Sequence, residues 1–213
     1  ELLPSNYSNM EAFGPHNEYI KSIKDGKVGL YTANGVLMFP CEFTAIKMVN
    51  LIGFKKPIFE LHQSKTVGLY DQEGVTIIPI GRYTSYSPIQ SYFKVCDNKH
   101  YGICAQNGEE IVPCAYYLDI QYHAQAKVFA VSNTNGHTVV AFNGQELFPP
   151  IKDLTIKEIH GDYILVQDGQ KFGAINYAGK LIVPAKCSKP EQVGKKVQAY
   201  TKKNNLTEEN QPA

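Results

Sequence analysis

The stretch CDNKHYGIC places Cys96, His100 and Cys104 within nine residues. Thiolate and imidazole are good zinc ligands, and a turn between two strands presents them together. A closed site needs a fourth ligand, and Cys114, ten residues on, is the only nearby thiol. Related segments elsewhere in the chain put Ile23, Ser132 and Gln167 in the Cys96 position, and Tyr31 and Tyr70 in the Cys104 position. The preferred reading is therefore small buried or half-buried thiols. A metal-binding or enzymatic protein centred on these residues is kept as an alternative. No metal site, cofactor or catalytic residue is assigned.

Other signatures of catalysis are missing from the sequence. It has no G-x-S-x-G, no H-E-x-x-H and no glycine-rich loop opening a helix. Glu109-Glu110 reads as a solvated pair at a strand edge. The more informative residues are tyrosines: 14 are present and no Trp. Tyr83, Tyr86 and Tyr92 follow one another closely, as do Tyr116, Tyr117 and Tyr122. They fall where one segment links to the next. Such links often line the binding face of a repeat protein. Exposed rings with few charges suit protein contact or sugar stacking. The competing reading is that these rings plug gaps between segments.

Composition narrows the field. A net charge of +1 argues against a polyanion partner, so no nucleic acid is expected. No run approaches the ~18 apolar residues of a membrane span. Five cysteines cannot all pair within one chain. At 213 residues the chain is long enough to bury about 70% of its unfolded surface without a staple.

The elements that position these residues come from an internal repeat. Gly, five residues, Gly, four residues, Pro recurs as Gly29, Gly35, Pro40; Gly68, Gly74, Pro79; Gly102, Gly108, Pro113; and Gly173, Gly179, Pro184. A further copy keeps Gly144 and Pro149 but has Thr138 at the first position. The second glycines fall at 35, 74, 108, 144 and 179. Aromatic and β-branched residues upstream, with polar turns between, predict strands. The residue before the second Gly is Asn34, Glu73, Asn107, Asn143 or Ala178. Glu and Ala resist a positive φ, so a type I turn followed by a left-handed glycine is expected. Pro closes the third strand because it cannot donate to a ladder. The first Gly sits within a strand, which suggests close approach of a neighbour. Apolar residues side by side in the third strands suggest burial on both faces. Cys41 and Cys114 follow the motif proline directly, as Ile80, Pro150 and Ala185 do elsewhere, and read as small filler.

The fold class expected is all-β: five tandem ~35-residue repeats of three short antiparallel strands. They form a hairpin stack or solenoid-like array, or alternatively a closed propeller-like ring. The expected boundaries are an N-terminal extension or cap over 1–17, one β-repeat domain over 18–190, and a polar, disordered tail over 191–213. The repeat units span about 18–56, 57–90, 91–126, 127–161 and 162–190.

The skeleton KVGLYTANGVLMFPCEFTAI, with KFGAINYAGKLIVP at the far end, resembles the WG repeat of bacterial proteins. Lys27-Val28-Gly29, Gly35, Pro40, Phe43 and Ile46 fit its slots, as do Tyr101-Gly102, Gly108, Pro113, Tyr116 and Ile120. The resemblance covers residues 18–189. The Trp of that repeat is replaced by Val28, Val67, Tyr101, His137 and Phe172. The resemblance implies repeated β-units without catalytic residues, often in envelope or secreted proteins. Free thiols fit a cytoplasmic alternative. The function expected is a non-enzymatic scaffold for protein–protein interaction at the bacterial envelope, with carbohydrate or envelope-glycan binding as the alternative.

Overall fold

The structure is a computed structural model that describes residues 7–208, with 115, 116 and 205–208 described by backbone alone. Its hairpins follow from the turn glycines. Gly35, Gly74, Gly108, Gly144 and Gly179 all have φ between 73° and 85°. Each N–H returns to the carbonyl three residues earlier, as Gly35 to Thr32 at 2.9 Å. That residue's own N–H then donates to the carbonyl just past the glycine, as Thr32 to Val36 at 2.9 Å. This is the expected type I turn with a left-handed glycine.

The hairpins build five antiparallel sheets. The first holds β1 (Asn9–Phe13), β2 (Tyr19–Lys24), β3 (Lys27–Thr32) and β4 (Leu37–Phe43). The second holds β5 (Ala45–Val49), β6 (Ile58–Gln63), β7 (Thr66–Tyr70) and β8 (Thr76–Tyr83). The third holds β9 (Ser85–Ile89), β10 (Tyr92–Cys96), β11 (Tyr101–Ala105) and β12 (Glu110–Tyr117). The fourth holds only β13 (Asp119–His123), β14 (Val128–Asn133) and β15 (Gly136–Ala141). The fifth holds β16 (Thr155–Ile159), β17 (Ile164–Asp168), β18 (Lys171–Ile175) and β19 (Leu181–Cys187). All pair in sequence order. The three strands expected of each repeat are present. The segments taken as links supply a further strand at the front of each following sheet: β5, β9, β13 and β16.

The chain divides into two compact units, one through Cys114 and one from Ala115. The boundary falls inside β12, whereas the sequence reading had a single domain over 18–190. In the first unit, Tyr19, Leu30, Phe39 and Phe43 of the first sheet pack on Ile46, Phe59 and Leu61 of the second. Ile58, Leu69, Ile78 and Tyr83 then meet Phe93, Val95 and Cys104 of the third. In the second unit, Val128 and Val139 pack on Ile164, Val166 and Ile175. Burial on both faces falls on the middle strands: Val67, Gly68 and Leu69 of β7 are all buried. Among the last strands, β8 buries Ile77 and Ile78 side by side, as expected, whereas β4 and β19 bury only Phe39 with Phe43 and Val183 with Cys187, four residues apart.

The glycine within each strand has a specific cause. β4 carries two extra residues between its pairings, Val28 opposite Phe43 and Leu30 opposite Phe39. β19 carries two against β18, and β8 three against β7. The motif proline sits in each bulge, where its missing N–H is no loss. The bulged backbone presses on the glycine. A Cβ at Gly29, Gly68, Gly102 or Gly173 would meet the carbonyl oxygen of Phe39, Ile78, Val112 or Val183 at 2.9, 3.1, 2.7 and 2.6 Å. First glycine and proline are therefore one device. The fourth sheet shows the converse. There Pro149-Pro150 removes two consecutive donors, and the segment forms only isolated bridges, His137 with Ile151 and Val140 with Glu146. The Thr138 hydroxyl then donates to the Phe148 carbonyl.

The expected disordered tail over 191–213 is corrected for its described part by helix α1 (Pro190–Glu208). Pro190 opens the helix, and the Gln192 side chain accepts the Ser188 and Lys189 N–H groups at 3.1 and 3.4 Å, a partial capping box. Val193 and Val197, four apart on one face, are buried against Leu165, Ala174, Val183 and Cys187. The helix so closes the last sheet, as terminal repeats require. At the other end, β1 falls in the expected cap, with Phe13 packed on the first core. Residues 1–6 of that expected extension lie outside the described residues.

Candidate functional site

Two of the tyrosines on the expected binding face are buried. Tyr83 is 1% exposed and Tyr117 8%, which corrects their place on an expected binding face. Tyr83 pairs across from Val67 and donates its hydroxyl to Glu110 at 2.8 Å. Arg82 also meets that carboxylate, so Glu110 is held rather than solvated. Burial, and then Glu110, push the Tyr83 phenol well above its ordinary range. Tyr117 repeats the arrangement with Glu146 in the second unit, and burial likewise raises its phenol. Both rings thus anchor one repeat to a carboxylate of the next. Tyr86 and Tyr122 are half-buried: Tyr86 lies edge-on to Phe93, and Tyr122 stacks on Phe142 with centroids 5.4 Å apart. Tyr92 is also half-buried. The side chain of Tyr116 lies outside the described ones.

Cys96, His100 and Cys104 do not converge. Cys96 pairs with Tyr101 and Cys104 with Phe93, three rungs apart along the same ladder. At about 3.3 Å per residue that is ~10 Å, too far to share an ion. The Cys104 thiol is buried and points to the Tyr83 hydroxyl at 3.7 Å. Cys114 donates to the His100 carbonyl at 2.7 Å. Burial, then the negative charge of Asp97, push the Cys114 thiol up to about 12. Such a thiol is a poor ligand and a poor nucleophile near neutral pH.

A charged cluster that the sequence reading did not find lies in the first unit. Glu60 of β6 stands where the other repeats have Lys21, Lys94, Ala130 and Leu165. Its carboxylate accepts the Tyr86 hydroxyl at 2.5 Å, lies 2.6 Å from His62 Nε2 and pairs with Lys47 at 3.4 Å. Burial by itself raises this carboxyl; the Tyr86 and His62 hydrogen bonds and the His62 and Lys47 charges outweigh it, so the net shift is downward from 4.5. A carboxyl lowered by folding contributes stability above its unfolded value and loses it as pH falls through its folded value. The urea midpoint should therefore fall more steeply below pH ~4.5 in the parent than in Glu60→Gln. Parallel acid limbs would show that the cluster contributes nothing. The signal in the sequence was one acidic residue at a position otherwise basic or apolar.

The second unit carries an open cleft of about 240 Å³ between its two sheets. Asp119 and Gln121 of β13 form one wall, Thr155 and Lys157 of β16 the other. Ala130, Val131, Ser132 and His137 make the floor. His137 occupies the slot filled by Val28, Val67, Tyr101 and Phe172 in the other repeats. Elsewhere the bulged last strand lays Phe43, Tyr83 or Cys187 opposite that slot. Here Pro149-Pro150 ends the strand early and Ile151 stands opposite. The repeat that departs from the pattern contributes the floor of this cleft. Burial, then the charge of Lys157, lower the His137 imidazole. The departures at Thr138 and Pro150 were visible in the sequence, but the neighbouring β16 was not.

Large aliphatic side chains are exposed at hairpin tips of the first unit. Val36 is 62% exposed, Val75 61% and Ile52 77%. Val36 and Val75 each follow a turn glycine. Ile52 lies on the loop between β5 and β6, at the same end of its sheet as Val75. That loop is braced: Gln106 donates to the Ile52 carbonyl at 3.0 Å, and Phe54 stacks on Phe93.

Among the described residues, no helix is long and apolar enough to cross a membrane. No family model matches the chain, and no curated protein matches it. Similar solved structures include Kluyveromyces lactis Hsv2 with loop 6CD replaced by a Gly-Ser linker (TM-score 0.36, 11% identity, 81% of this chain and 64% of that one). The dihydro-heme d1 dehydrogenase NirN in complex with DHE is another (TM-score 0.35, 11% identity, 82% and 46%). A third is the AfRom2 CNH domain (TM-score 0.29, 10% identity, 84% and 70%). The chain spans less than two thirds of the length of the Hsv2 and NirN chains. At these scores the likenesses assign it neither a family nor an activity.

Proposed function

We propose that this chain is a non-enzymatic repeat scaffold of the WG-repeat kind that binds a protein partner through the hairpin tips of its first unit. The observation that carries this reading is the exposure of Val36, Ile52 and Val75 on turns fixed by backbone hydrogen bonds and, at Ile52, by Gln106. Rigid display of aliphatic groups lowers the ordering cost of association. A glycan reading needs a row of open rings, and Tyr83, Tyr86 and Tyr117 are engaged in joining repeats. Placement outside the cytoplasm, which the resemblance implies, is part of the same proposal and is checked by fractionating native cells.

The test is cross-linking in native cells with the parent and an Ile52→Asp/Val75→Asp variant. A protein captured in fixed proportion by the parent, and lost from a variant of unchanged melting temperature, supports the reading. Equal capture by both chains removes it.

A further inference from the structure

Residues 186–203 carry six lysines, Lys186, Lys189, Lys195, Lys196, Lys202 and Lys203, against one carboxylate, Glu191, in a chain whose net charge is only +1. All six are exposed. Among the described residues, no hydrogen bond or ion pair holds the side chains of Lys186, Lys189, Lys195, Lys196 or Lys202. At about 3.6 residues per turn, Lys195 and Lys202 fall on one line of α1 and Lys196 and Lys203 on a second beside it, each pair spanning about 10 Å of the axis. Both lines lie away from Val193 and Val197, which are buried against the fifth sheet. Helix stability does not ask for these charges. A helix favours cations in its last turn, whereas Lys189 precedes Pro190, and Lys195 and Lys196 fall in the second turn.

Such a face complements an array of anions. A protein partner is disfavoured, because interfaces are built around apolar cores and the described residues among the lysines are Gln192 and Ala199. A single strand of nucleic acid is held by stacking, and Tyr200, the one ring of the helix, is half-buried. A duplex is a cylinder, and against the convex outer side of a docked helix it touches at one crossing. A plane differs: a helix lying along it brings both lysine lines to the surface at once. The cleft at the helix start, lined by Glu158, His160, Tyr163 and Glu191, includes none of these lysines, so a single small anion has no cradle there. The apolar edge of α1 is occupied by the fifth sheet, so contact with a surface is electrostatic, without insertion among acyl chains.

We propose that the lysine face of α1 holds this chain against an anionic lipid surface, with the helix lying flat on the phosphate headgroups. Each lysine near such a surface contributes roughly a fivefold gain in partition, and salt screens it within about 8 Å at physiological ionic strength. The face lies in the second unit and shares no residue with the hairpin tips of the first, so either proposal can fail without the other.

The test is sedimentation of the whole chain with vesicles of phosphatidylcholine alone and of phosphatidylcholine with phosphatidylglycerol, at rising salt. Binding should require phosphatidylglycerol and weaken as salt rises. Lys195→Gln/Lys202→Gln should bind at least tenfold more weakly. Lys55→Gln/Lys65→Gln, in the first unit, removes the same charge and should bind as the parent does. All four lysines are exposed, so both variants should melt with the parent. Equal binding to both kinds of vesicle, no binding even at low salt, equal losses in the two double variants, or tighter binding to poly-glutamate or duplex DNA than to the anionic vesicles would each overturn the proposal.

Discussion

Adding one methyl group at Gly173 should destabilise the second unit by about 3 kcal/mol or more. The new Cβ would stand 2.6 Å from the Val183 carbonyl oxygen, 2.7 Å from the Ala185 nitrogen and 2.9 Å from its Cα. These are backbone atoms of a bulged strand, so no flexible side chain can swing away. Relief requires β19 to retreat, which breaks its pairing with β18 and loosens the sheet on which α1 packs. At ~2–4 °C per kcal/mol for a chain of this size, Gly173→Ala should melt about 6–12 °C lower. The effect should be graded across the repeats. Gly102→Ala, with the Val112 oxygen at 2.7 Å, should rank close behind, and Gly68→Ala, whose nearest neighbours stand at 3.0 Å, should be mildest. Gly26→Ala is the control for conformation: its φ is 71°, but nothing lies within 4 Å of the added atom. It should lose only about 1 kcal/mol. Calorimetric melting of the four variants decides the matter. Equal losses at Gly26 and Gly173 would show that crowding by the bulge is not why the first glycine recurs.

The second large effect is expected at Tyr83. Tyr83→Ala removes a ring 1% exposed at the junction of the second and third sheets and should cost about 3–5 kcal/mol. Tyr83→Phe keeps the ring and removes only the hydroxyl that donates to Glu110. It should cost about 1–2 kcal/mol, because Glu110 keeps Arg82 as a partner. A double-mutant cycle with Glu110→Gln isolates the pair. A loss for the double variant smaller than the sum of the single losses supports the anchor between repeats. Strict additivity would mean that the phenol and carboxylate act independently, and Tyr83 would then be only a filler of volume. The same cycle at Tyr117 and Glu146 asks whether the second unit uses the same device.

Much of this molecule was fixed by short-range chemistry, and that part was legible. The turn glycines are an instance: Glu73 and Ala178 before two of them exclude a pair of positive φ values, and the turns formed are of the kind that needs only one. Strand identity likewise follows from β-branched and aromatic residues between polar turns. Helix α1 was misread because, among its described side chains, only Val193 and Val197 are buried, and a polar stretch follows them. Only docking on Leu165, Val183 and Cys187 gives that single apolar edge a partner.

What tertiary structure alone decided is how one repeat meets the next. AIKMV, SYSPI, DIQYH and TIKEI looked like links because a single residue separates the first three from the strand before. Each becomes a strand only when the next hairpin offers an edge to pair with. That pairing turned the tyrosines inward: Tyr86 takes the place that Ile46 and Ile120 hold in their sheets and reaches Glu60 of the preceding sheet, so a residue type that suits a binding surface became a joint. The clash that demands Gly29 or Gly173 comes from a bulge in a partner strand, which the glycine's own neighbours do not reveal. The cleft at His137 has the same origin. Pro149-Pro150 could be read as a break, but an open space beside it exists only because β13 and β16 stand on either side. Backbone conformation is chosen by a residue and its immediate neighbours, so sequence carries it; a cavity is defined by segments distant along the chain, so only their packing creates it.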